Sequence, residues 1–81
     1  MDENFVTNLL RQELRIREGL LNEVTKSLDD TRNRLSITTS KQDYISCKNS
    51  IDSLDLSRRE LRGEISALRQ ALKVLEREGK T

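Results

Sequence analysis

Two heptad repeats run along this chain in different phases, and the break between them limits what it can fold into. Taking Leu14 as position a puts Leu14, Leu21, Leu28 and Leu35 at a, with Leu10 and Val24 at d. Taking Ile51 as a puts Tyr44, Ile51, Ile65 and Leu72 at a, with Cys47, Leu54, Leu61, Leu68 and Leu75 at d. The first frame would place its next a at Gln42, whereas the second has it at Tyr44. A continuous coiled coil absorbs insertions of three or four residues, not a slip of two. The pattern therefore predicts two helices rather than one rod.

Local signals place the boundaries. Asp2 can cap the first helix, with Glu3 near its positive dipole end. Helical spacing runs from Phe5 to about Leu35, with Arg32 and Arg34 near the negative end. The stretch from Ser36 to Ser40 is rich in β-branched and hydroxylated residues, which weaken a helix. Ser40 followed by Lys41, Gln42 and Asp43 forms a capping-box pattern. Gly79 suits a helix terminus. The expectation is one domain over 1–81, with helix one at about 3–36, a loop at about 37–40 and helix two at about 41–78.

The fold class that follows is all-α, a two-helix antiparallel coiled-coil hairpin. In such a pair, a faces d. Leu35 with Cys47, Leu28 with Leu54, Leu21 with Leu61 and Leu14 with Leu68 are each equidistant from residue 41, beside the expected loop. The competing fold is a single helix about 110 Å long, assembled as a parallel coiled coil.

Charged residues make up 36% of the chain and hydrophobic ones 33%, a balance suited to helices with narrow buried stripes. A lone hairpin of this size buries little apolar surface, so self-association or a partner is expected. Net charge is +1, which gives no strong overall field for nucleic acid or lipid. No apolar run is long enough to span a membrane, and the N-terminus lacks a signal-peptide pattern. A cytoplasmic location, or one within a virion, is the expectation.

A second apolar set lies outside the a/d seam. Val6 and Leu20 fall at g and Leu9 and Ile16 at c in helix one; Ala71 falls at g, with Ala67 and Val74 at c, in helix two. Antiparallel pairing sets g beside g, so these residues share one flank, in the half near the termini. The e flank is polar throughout. A stripe wider than a/d is expected of a helix with more than one neighbour. The flank is the expected oligomer or partner interface, either pairing hairpins into a homodimeric four-helix bundle or receiving another protein's helix.

Two arginines interrupt the seam: Arg17 at d and Arg58 at a. Each can extend to the rim over its aliphatic stem, or the pair can form a polar layer that fixes register. Arg59, Arg62, Arg69 and Lys73 are the candidate nucleic-acid face, although glutamates interleave with them and no aromatic platform accompanies them. Cys47 at d is expected to be a small buried hydrophobe. Phe5 and Tyr44 are expected to plug the two ends of the hairpin. Gly19 and Gly63 both fall at f, where they cost helix stability.

The chain has no His and one Cys, which points to no metal site, no cofactor and no enzymatic activity. No small-molecule substrate is indicated. The expected role is a non-enzymatic protein-interaction module in assembly, scaffolding, chaperone-like or adaptor work. Its size and style fit accessory proteins of bacteriophages and bacteria. Two alternatives are a small inhibitor that occludes a host enzyme and a nucleic-acid-binding hairpin dimer.

Overall fold

The computed structural model describes residues 2–79, with side chains over 5–78. Helix α1 spans Asp2–Ile37 and helix α2 spans Lys41–Gly79. They pack against each other as an antiparallel hairpin measuring 61 × 14 × 14 Å. That length excludes the single rod, which would be about 110 Å long. The capping role expected of Asp2 falls outside the described side chains.

The turn is short because one residue starts α2 cleanly. The Ser40 carbonyl accepts from Tyr44 N–H at 2.9 Å, the first hydrogen bond of α2, and its Oγ accepts from Asp43 N–H at 3.4 Å. Ser40 is thus the N-cap. The end of α1 is different. No residue with described backbone adopts positive φ, so α1 lacks a left-handed C-terminal cap. Ser36 Oγ instead donates to the Asn33 carbonyl at 2.7 Å. Ile37 is the last helical residue rather than the first of the loop, which leaves Arg34 as the base in the final turn.

The core is a single line of side chains. Leu28, Cys47, Ile65 and Leu72 are buried, and the other seam residues are mostly half-buried. Two long helices offer each other only one stripe, so burial on this scale is a property of the architecture. Thr31, also in the seam, turns its hydroxyl back to the Ser27 carbonyl at 2.8 Å. The expectation for Phe5 was wrong: it stands 69% exposed because position f points away from the partner helix. Tyr44 covers the loop end only in part and remains 48% exposed.

Ion pairs between the helices confirm the register. Arg11 Nη2 lies 3.3 Å from Glu76 Oε1, and Arg69 Nη2 lies 3.0 Å from Glu18 Oε2. All four are e residues that an antiparallel a-to-d alignment sets opposite one another. Exposed pairs of this kind each contribute about 0–1 kcal/mol, so their value lies in specifying alignment more than stability.

Candidate protein-interaction surface

The flank opposite these ion pairs is built from the g and c positions of both helices. Val6, Leu9, Ile16 and Leu20 form a ridge along α1, each between 41% and 50% exposed. Beside it on α2 lie Ala67, Ala71 and Val74; Ala71 is half-buried and the other two are exposed. Register explains the arrangement. The seam consumes a and d, and nothing in the hairpin lies over g and c. The seven apolar residues therefore share one face along the half near the chain ends.

Arg17 cuts across this face. From position d its side chain turns to the adjacent g side, where Glu13 and Glu64 stand on opposite helices. It donates from Nη1 to the Glu13 carboxylate and, at 3.3 Å, to the Glu13 carbonyl. Its Nε lies 3.5 Å from Glu64 Oε1. The hydrogen bond to Glu13 raises the guanidinium pKa above its ordinary value, reinforced by the charges of Glu13 and Glu64 against the effect of burial. Arg17 thereby bridges two like charges that the register brings together. Arg58 turns the other way, from a to the e side. Its Nη2 donates to Asp55 Oδ1 at 3.1 Å, and Asp55 Oδ2 pairs with Arg59 Nη2 at 2.9 Å. Arg58 Nε is buried without a hydrogen-bond partner. The two seam arginines thus turn to opposite flanks.

The charges divide by face, which the net value of +1 conceals. Among the described side chains, the g/c face carries Glu13, Glu23, Asp30, Asp43, Glu60, Glu64 and Glu78 against a single base, Arg34. On the e/b face the balance reverses. Arg11, Arg15, Arg32, Lys41, Lys48, Arg59, Arg62, Arg69 and Lys73 outnumber Glu18, Asp29, Asp52, Asp55 and Glu76. Sorting charges by heptad position would have found this split in the sequence; summing them could not.

No family model matches the chain, and no curated protein or solved structure matches it. Its own surfaces therefore carry the functional argument.

On the basic side, Arg62, Arg69 and Lys73 line an open groove of about 560 Å³ with Glu18, over a floor of Leu21 and Ile65. Three of the four residues of the candidate nucleic-acid face thus meet in one groove. The fourth, Arg59, lies outside it and pairs with Asp55. Cys47 is 4% exposed in the seam, beside a smaller hollow at the loop. Sequence reasoning missed the exposure of Ile37, Ile45 and Leu56, which are between 49% and 79% exposed. They occupy c, b and f, one in each row, so no periodic stripe marked them. Among the described residues, no helix is long and apolar enough to cross a membrane.

Proposed function

We propose that this hairpin is a non-enzymatic protein-interaction module that acts through its apolar g/c flank, in an assembly, scaffold, chaperone-like or adaptor role. The observation that carries this reading is the exposed ridge of Val6, Leu9, Ile16 and Leu20 beside small residues of α2. Accessible area supports it. The hairpin exposes 6507 Å², whereas a compact globule of this mass exposes about 5,000 Å². Contiguous apolar surface of this kind marks interaction sites. A second copy seated there would complete a homodimeric four-helix bundle, and a different chain would use the helix-in-groove mode. Inhibition of a host enzyme, or accessory work in a phage or bacterium, would use the same surface.

The test is affinity capture and solution mass for the wild type and a Leu9→Lys/Ile16→Lys variant whose helicity is unchanged by circular dichroism. The proposal expects a protein, whether another copy or a different chain, to be held by the wild type and released by the variant. Identical behaviour of the two would sink it.

The basic groove favours a second reading, a nucleic-acid-binding surface. Backbone contacts from Arg62, Arg69 and Lys73 would make such binding strongly salt dependent. A gel shift with mixed-sequence RNA and DNA at low salt decides it: binding lost in Arg62→Glu/Lys73→Glu supports this reading, and no shift ends it.

A further inference from the structure

We infer that the e/b face takes a nucleic-acid duplex, held by phosphate contacts from Arg15, Arg62 and Lys73 alone; this rests on the nucleic-acid reading above and names its ligand. The bases of this face gather in the half near the chain ends. On α2, Arg59, Arg62, Arg69 and Lys73 occupy b and e, and the run from Arg59 to Lys73 is about 21 Å long. Arg11 and Arg15 hold the same two positions beside them on α1. Asp29, Asp52 and Asp55 then separate this strip from Arg32 and Lys48 at the loop end. Three of the six cations are already engaged. Arg11 pairs with Glu76 and Arg69 with Glu18 across the helices, and Arg59 pairs with Asp55 along α2. Among the described residues Arg15, Arg62 and Lys73 have no ion-pair partner, and all three are exposed.

The register sets how these three are spread. Arg15 lies level with Ala67 of α2, between Arg62 and Lys73. Along the axis the neighbouring positions are about 7.5 and 9 Å apart. A ligand that engages all three must carry several anionic groups over about 16.5 Å, as a phosphodiester backbone does. An acidic protein fits less well. Protein interfaces have an apolar centre, and the exposed large apolar side chains nearest the loop on this side, Ile45 and Leu56, lie beyond the strip. The form of the nucleic acid follows from what the strip lacks. Unstacked bases need aromatic platforms. The chain's two aromatics are Phe5, on the outer f row of α1, and Tyr44, at the loop end, so neither stands in the strip. A single strand would also have to be ordered along a straight hairpin, a cost that a duplex does not meet on binding. A duplex further presents one charge per about 1.7 Å of its axis. Glu13, Glu23, Glu60 and Glu64 face away from it, on the opposite flank. Arg69 reaches a phosphate only by leaving Glu18, so the interhelical pairs that align the hairpin limit its grip.

The experiment uses the full chain with fluorescein-labelled DNA and RNA duplexes of about 18 base pairs, longer than the strip at about 3.4 Å per step. The matching single strands and an oligoglutamate peptide of the same length are the controls. In fluorescence anisotropy at about 0.05 M salt, a duplex is expected to bind at least about fivefold more tightly than either control. Three phosphate contacts should weaken the duplex about 40-fold between about 0.05 and 0.2 M salt, whereas six would weaken it about 2,000-fold. Arg62→Gln/Lys73→Gln should weaken binding and cut the loss over that range to about 3.5-fold. Glu18→Gln, which frees Arg69, should bind more tightly and lose about 150-fold. Circular dichroism checks that each variant keeps its helicity. A single strand bound as tightly as either duplex, and weakened by Arg62→Gln/Lys73→Gln, overturns the inference and leaves the nucleic-acid reading. So does a loss near 2,000-fold in the wild type, since the paired cations are then engaged as well. The peptide bound as tightly as every nucleic acid overturns both, as does nucleic-acid binding untouched by Arg62→Gln/Lys73→Gln or no binding at about 0.05 M salt.

Discussion

Arg58 at a and Arg17 at d both interrupt the seam but have different surroundings. Arg58 leaves Nε buried and unpaired, and its layer partner Val24 offers no acceptor. Replacing a poorly satisfied seam charge with an apolar residue is often stabilising. Arg58→Leu should therefore raise the urea midpoint, by the equivalent of about 1 kcal/mol after allowing for its partial exposure. Arg17→Leu should lower the midpoint, because Glu13 and Glu64 would then face each other with no cation between them. Equal shifts in the two variants would show that their different carboxylate partners do not matter. The glycines give a third residue-scale expectation. A Cβ added at Gly19 or Gly63 meets nothing within 4 Å, and neither has positive φ. Gly19→Ala and Gly63→Ala should each stabilise by about 0.5–1 kcal/mol, read from the same denaturation curves.

At the scale of the helices, the turn depends on Ser40. Its hydroxyl is the side-chain acceptor at the start of α2, while α1 ends without a left-handed residue. Ser40→Ala should cost about 1 kcal/mol, and Ser40→Gly only a few tenths, measured by thermal unfolding. The capping signal and the two-residue phase slip made the helices and their register legible, because periodicity of a/d residues reports directly on which face is buried. The apolar flank was legible for the same reason: Leu9, Ile16 and Leu20 fit neither seam position. The ends were not. Phe5 is a large apolar residue whose f position outweighs its hydrophobicity, and Ile37 extends α1 by one residue, since adding to a helix already formed is cheap. The directions taken by Arg17 and Arg58 follow their heptad positions, since d borders g and a borders e; which carboxylates would receive them was not legible, because several stand within reach of each.

Over the whole molecule, the hairpin has a Cα radius of gyration of 18.1 Å. A single continuous helix of this chain would have a radius of gyration of about 35 Å. Small-angle scattering should return a value near the smaller figure, and a value near the larger one would mean the turn had opened into a rod. The division of charge between faces has a further consequence for how molecules meet in solution. With carboxylates along one long side and bases along the other, the hairpin is a transverse dipole with almost no monopole. Neighbouring molecules then attract at low ionic strength whatever their specific partners, because a net charge near zero supplies little repulsion. Salt shortens the screening length from about 30 Å at 0.01 M, longer than the 14 Å width that separates the two faces, to about 8 Å at 0.15 M, shorter than it. The protein should therefore salt in, with light-scattering interaction parameters becoming less attractive as ionic strength rises across that range.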